Sequence, residues 1–314
     1  MNEVTPVLPS ALFGPSDSSL IRDELLWEIF AASAGRVPHS EAITFAGQTL
    51  TYGEVAARAE SVARALSARG IGRGCFVGLW MSRSLDLHVA LLGILRAGAA
   101  YIPFDTDAPA ERVAECLGDC GASALIVDAV TMGAISGAMP AEALALPALE
   151  AAAPSGDAPD LRALGASSAD PAYAIYTSGS TGKPKAIVIS HGNICHYLRS
   201  ANSLYRITFD DVVFQGASVA FDLSLEEIFI PYLVGARLWV AGRQTMAEAD
   251  RLPQVLTEAG ITVLDTVPTL LGLLSADIAS LRVIILGGEA CPPALAERWC
   301  RPGRRLFNAS GPTE

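Results

Sequence analysis

Tyr176-Thr177-Ser178-Gly179-Ser180-Thr181-Gly182-Lys183-Pro184-Lys185 lies between two apolar segments, AYAIYT (172–177) and AIVIS (186–190). Glycines let the backbone bend so that successive N–H groups face an anion, while the hydroxyls donate hydrogen bonds and the lysines supply point charge. A loop of this kind handles phosphate and points to a nucleoside triphosphate. The nearest rival is the Walker loop, which ends in Gly-Lys-Ser/Thr and runs straight into a helix. Here Pro184 follows Lys183, and PKAIVISH (184–191) reads as a strand rich in β-branched residues. A plain Ser/Gly/Thr linker is the other alternative, but such linkers lack flanking strands.

Outward from this loop, helix and strand patterns alternate. Apolar spacing predicts helices over 21–32, 52–69, 86–97, 109–119, 191–203 and 292–300, with strands at 75–80, 100–102, 124–128 and 281–287. Gly70-Ile71-Gly72-Arg73-Gly74 reads as a turn, because it lacks the spacing of a dinucleotide fingerprint. The Ala-, Gly-, Pro- and Ser-rich stretch 132–169 reads as a helical fragment plus a connection. Alternation of this kind predicts an α/β protein: two packed lobes of mainly parallel sheet with flanking helices, and ligands at the carboxyl ends of the strands.

With 314 residues and 51% hydrophobic content the chain is long enough for a large core. A net charge of −11 argues against nonspecific binding to nucleic acid. The six cysteines contain no CxxC pair, which predicts a reducing compartment. The first residues do not read as a signal peptide and no apolar run has membrane-spanning length, so the expected location is cytoplasmic.

Five ordered segments carry a family resemblance. The phosphate loop resembles the third core motif of the adenylate-forming superfamily, whose members use ATP to convert a carboxylate to an acyl-adenylate and pyrophosphate. Leu50-Thr51-Tyr52-Gly53-Glu54, the 95–105 stretch LRAGAAYIPFD, Phe221-Asp222-Leu223-Ser224 and the 308–314 stretch NASGPTE resemble the first, second, fourth and fifth motifs of amino-acid adenylation domains in nonribosomal peptide synthetases. The 214–229 stretch FQGASVAFDLSLEEIF further resembles synthetases that polymerise basic amino acids, of the poly-lysine type. The resemblance covers the chain from about residue 20, making 1–20 an N-terminal extension and 21–314 the large N-terminal lobe of such a domain. On this reading the rest of that lobe and the small C-terminal lobe are missing, and the isolated chain completes adenylation poorly.

The resemblance implies a site. Thr177, Ser178, Gly179, Ser180, Thr181, Gly182 and Lys183 would hold the β- and γ-phosphates, with Lys185 nearby. Thr313 would contact the α-phosphate, and Glu314 would hold Mg2+, a hard cation suited to oxygen ligands. Gly288, Glu289, Asn308, Ala309 and Ser310 would complete the nucleotide contacts. Thr177, Lys183, Lys185, Thr313 and Glu314 would carry the catalysis, which is positioning and charge neutralisation. Ser310 departs from the family pattern, because an aromatic residue there stacks on adenine and serine cannot.

Asp222 sets the substrate class. By resemblance it pairs with the α-ammonium of an amino acid; the alternative is a carboxylate capping the following helix. Glu226 lies one turn further on the same face, and Asp265 near the end of ITVLD (261–265) would face the same cleft. Leu223, Ile285, Gly287 and Ala309 complete the expected lining, Gly287 leaving room for a long side chain. The acids point to lysine, ornithine or arginine as substrate; the alternative places Glu226 and Glu227 in solvent. The implied partner is a peptidyl carrier domain bearing phosphopantetheine. The other two readings are an acyl- or aryl-CoA ligase and a nucleotide-binding module without catalysis. His191 is expected to be a structural hydrogen-bonding group.

Overall fold

The computed structural model describes residues 17–178, 184–309 and 311, the Ser178 side chain excepted. The described strands form two sheets. Numbered along the chain, β1 (Glu41–Phe45), β2 (Gln48–Thr51), β3 (Phe76–Trp80), β4 (Ala100–Phe104), β5 (Ala124–Val127), β6 (Glu142–Ala145), β7 (Pro171–Ser178) and β8 (Pro184–Ser190) make up the first half. β9 (Val212–Gln215), β10 (Arg237–Val240), β11 (Val263–Thr266), β12 (Val283–Leu286) and β13 (Arg305–Asn308) follow. One sheet has the order β6-β5-β3-β4-β7-β8, and the other β13-β12-β11-β9-β10-β1-β2.

Pairing is parallel except for the hairpins β7–β8 and β1–β2. The layers follow from which faces are apolar. Helices Leu26–Arg36, Tyr52–Ser67, Leu85–Arg96, His191–Tyr205 and Leu223–Val234 share one buried core with the facing surfaces of both sheets. A smaller core under the Ala110–Asp119 helix covers the outer face of the first sheet, and another around Trp299 and Leu256 covers the second. The Leu223–Val234 helix is apolar nearly all round, as an element enclosed on every side must be.

Two local readings are corrected, and one hairpin was not anticipated. The first long helix is Leu26–Arg36, not 21–32. The Glu28 carboxylate accepts the Leu25 N–H at 2.8 Å and His191 Nδ1 accepts the Leu26 N–H at 3.1 Å, which sets the start, while Ile21 is exposed. Within 132–169, β6 extends the first sheet parallel to β5. Its EALA sequence carries no β-branched residue, so pairing at the sheet edge overrides propensity. The β1–β2 hairpin turns at Ala46 (φ 48°) and Gly47 (φ 79°), both in the left-handed region that a two-residue hairpin turn requires.

The strand after Pro184 is present, and it excludes a Walker loop, which would lead into a helix. In the β7–β8 hairpin Thr177 lies opposite Lys185 and Ser178 opposite Pro184. Residues 179–183 of the phosphate loop lie outside the described residues, as do Ser310 and residues 312–314.

Two histidines are buried and neutral. His88 shares a hydrogen bond with the Tyr232 hydroxyl at 3.1 Å, and burial pushes both it and His191 down to about 4. An unfolded histidine binds a proton below about 6.5 whereas these do not, so stability is intact above that pH and falls between 6.5 and 4. Urea midpoints across this window should show a slope of about 1.4 kcal/mol per pH unit from each histidine. A His191→Asn variant should remove one of the two contributions and leave that of His88, and an unchanged slope would show that His191 is not a neutral buried group.

Candidate active site

The candidate pocket opens at the carboxyl ends of β12 and β13, between two helices of the middle layer. Its volume is about 390 Å3. Asp222, Leu223, Leu225 and Glu226 form one wall, Asn193, Ile194 and Tyr197 of the His191–Tyr205 helix form the other, and Tyr173 and Ile189 come from the hairpin. Ile285, Gly287 and Gly288 lie at the end of β12, and Ala309 and Gly311 follow β13. Asp222, Leu223, Glu226, Ile285, Gly287 and Ala309 therefore meet in one cavity, joined by Gly288. A Cβ on Gly287 would sit 3.3 Å from Leu223 Cδ1, so any side chain there intrudes on the pocket wall.

A buried clamp positions Asp222. The Glu227 carboxylate accepts the N–H groups of Gly216 at 3.2 Å and Ala217 at 3.0 Å, and Arg83 donates to the Gly216 carbonyl. Burial pushes the Glu227 carboxyl up to about 8, opposed by these N–H groups and by Arg83. The segment between β9 and the Leu223–Val234 helix is thus tied to that helix, with Asp222 at the N-cap. Its side chain makes no capping hydrogen bond there, so the cap alternative fails. The half-buried carboxylate faces the cavity instead.

Glu226 is not in solvent: it is 6% exposed. Its Oε1 accepts the Tyr197 hydroxyl and, at 3.5 Å, the Tyr205 hydroxyl, two partners that sequence reasoning missed because they lie on another helix. Oε2 receives no donor among the described residues. Asp265 does not form part of the cavity wall, contrary to the expectation that it faces the cleft. Leu264 belongs to the outer core and Val263 to the middle one, so strand alternation turns Asp265 inward beneath Glu226. It is 1% exposed, and neither of its oxygens has a donor among the described residues. Burial raises both carboxyl groups, Asp265 well above its ordinary range. The groups acting most strongly on Glu226 are Tyr197, Asp265, Tyr205 and Asp222.

Of the expected nucleotide contacts, Thr177 and Lys185 sit at the hairpin end, Thr177 half-buried and Lys185 exposed. Asn308 ends β13 in register with Leu286. Glu289 is exposed and accepts the Thr269 N–H at 3.0 Å and its hydroxyl at 2.5 Å. Gly179, Ser180, Thr181, Gly182, Lys183, Ser310, Thr313 and Glu314 lie outside the described residues. Among the described residues no group of three or more His, Cys, Asp or Glu could hold a metal ion.

The sequence profile of the AMP-binding enzyme family matches residues 30–314. The chain belongs to this family. Delta-poly-L-ornithine synthetase of Acinetobacter baumannii is 42% identical over 318 residues, covering 100% of this chain and 23% of that protein. Novobiocin biosynthesis protein H of Streptomyces niveus is 36% identical over 311 residues, covering 96% of this chain and 50% of that protein. The chain thus spans 23% and 50% of the length of these two relatives. The nonribosomal peptide synthetase FmoA3 with AMPPNP bound superposes with a TM-score of 0.85 at 30% identity, over 94% of this chain and 32% of that one. The N-terminal subdomain of Klebsiella oxytoca NpsA in complex with 3-hydroxybenzoyl-AMSN gives 0.81 at 25% identity, over 96% and 75%. The two-sheet architecture is that of adenylation-domain N-terminal subdomains.

Proposed function

We propose that this chain forms the substrate pocket of a domain that activates a basic amino acid with ATP, giving aminoacyl-AMP and pyrophosphate, for transfer to the phosphopantetheine thiol of a carrier domain. One observation carries the substrate class. Asp222 and Glu226 stand one helical turn apart on the same wall of the cavity, and Glu226 is buried and forms no ion pair among the described residues. A buried carboxylate without a counter-charge is costly, and a ligand with two ammonium groups removes that cost at both ends. Similarity to a poly-ornithine synthetase supports the same class.

In this reading Asp222 holds the α-ammonium, which directs the substrate carboxylate out of the pocket toward the hairpin loop between β7 and β8. Glu226 holds the distal cation, while Leu223, Ile285 and Gly287 line the methylene chain between them. Holding the carboxylate in line with the α-phosphorus supplies most of the rate, since the reaction needs no covalent intermediate on the protein. The hairpin loop and Thr313 would bind the phosphates. Mg2+, held by Glu314, would neutralise phosphate charge when bound.

The test against a CoA ligase is ATP–pyrophosphate exchange on the full-length protein. Exchange should depend on an α-amino acid and be indifferent to coenzyme A. Exchange driven by aryl or fatty acids, with acyl-CoA as product, would assign the chain to the ligases.

A further inference from the structure

Resting on the basic-substrate reading, we propose that Asp265 is a neutral acid that donates its proton to Glu226, a positioning residue that aims the Glu226 carboxylate at the substrate's terminal cation. Asp265 lies beneath Glu226, and each carboxyl group bears on the protonation of the other. Glu226 Oε2 and both Asp265 oxygens are nevertheless buried without any N–H or O–H donor among the described residues. Two carboxylates in contact in a dry interior repel, and a single shared proton turns that repulsion into a hydrogen bond.

The surroundings say which group carries the proton. Tyr197 and Tyr205, both from the His191–Tyr205 helix, donate to Glu226 Oε1, and such donors favour the charged form. Asp265 meets no side-chain hydroxyl of that kind; only the Thr266 backbone N–H acts in that direction, and Asp265 lies deeper. The charged groups bearing most on it are Glu226 and Glu227, both carboxyls. Its burial raises the energy of its charged form further. The charge count agrees. The cavity wall presents two carboxylates, Asp222 and Glu226, matching the two ammonium groups of a diamino acid, and an ionised Asp265 would leave a third negative charge unmatched.

The inference separates charge from hydrogen bonding. Asn at 265 keeps a donor without charge, and Leu keeps neither. On the full-length protein, pyrophosphate exchange with ornithine against norvaline gives a discrimination ratio for each variant. Asp265→Asn should stay within about threefold of wild type, whereas Asp265→Leu should lose about tenfold or more, through KM for ornithine. A loss in Asp265→Asn as large as in Asp265→Leu would overturn the assignment, because it would show that Asp265 acts by charge. A second measurement needs no substrate: infrared spectra at pH 7 should contain, beside the band of the Glu227 carboxyl, a protonated aspartic-acid band that disappears in Asp265→Asn. Where that variant does not fold, a shift of the band on 13C labelling of aspartate carboxyls in the wild type replaces it, and absence of the band contradicts the proposal. A wild type that prefers norvaline while retaining the band would defeat the basic-substrate reading alone. One that prefers ornithine and lacks the band would defeat the role of Asp265 alone.

Discussion

Asp222→Ala should remove activation of every α-amino acid while leaving the fold intact. The Asp222 carboxylate lines the cavity and makes no capping hydrogen bond, so nothing in the described structure depends on it. Truncating one partner of a desolvated charge pair costs roughly 2–5 kcal/mol, which corresponds to about a hundredfold or more in kcat/KM. The loss should be similar for basic and neutral amino acids, because the α-ammonium is common to all of them. Thermal unfolding should shift by less than about 2 °C, as is usual for a surface change that breaks no structural feature. A variant that retains activity within a few fold would show that the α-ammonium is held elsewhere. A lowered unfolding midpoint would return Asp222 to the role of a helix-start residue.

Glu226→Ala should change which amino acid is used rather than whether one is used. Glu226 is buried against Tyr197 and Tyr205, with its second oxygen lacking any described donor. Its removal deletes the distal counter-charge and leaves two tyrosine hydroxyls beside a wider apolar cavity. kcat/KM for ornithine and lysine should fall about a hundredfold, the cost of leaving a terminal ammonium buried without a partner. Leucine should improve or hold steady, since its methyl groups meet no charge. Equal loss for basic and neutral substrates would mean that Glu226 shapes the pocket and does not select by charge.

Much of this was legible in the chain, for identifiable reasons. Helix–strand alternation and Pro184 pointed to parallel sheets with a strand after the phosphate loop, because proline and β-branched residues act locally. The placement of Asp222, Glu226, Ile285, Gly287 and Ala309 in one cavity followed from a motif resemblance and from helical spacing. Tyr197 and Tyr205 were not legible, since their approach to Glu226 depends on how two helices pack across the middle layer. The depth of Asp265 was missed for a related reason. A residue at a strand end reads as facing the cleft, whereas the period of β11 turns it under the Leu223–Val234 helix. The EALA edge strand was hidden by its composition, while the β1–β2 turn carried a signal in Ala46-Gly47 that a stricter hairpin search would use.

Glu227 shows how a neighbouring carboxyl with no distinguishing local pattern takes a different role. One residue past Glu226 the side chain points to the opposite flank of the helix, and there it binds the N–H groups of Gly216 and Ala217. The two adjacent glutamates thus divide the work, one facing substrate and the other holding the segment that carries Asp222.

The central claim is that two carboxylates on one wall select a basic amino acid. ATP–pyrophosphate exchange by the full-length protein, measured in parallel with ornithine, lysine, arginine, leucine and phenylalanine, tests it most directly. kcat/KM for at least one of the three basic amino acids should exceed that for both neutral ones by about a hundredfold, from the pairing of a buried charge. Preference for leucine or phenylalanine would contradict it.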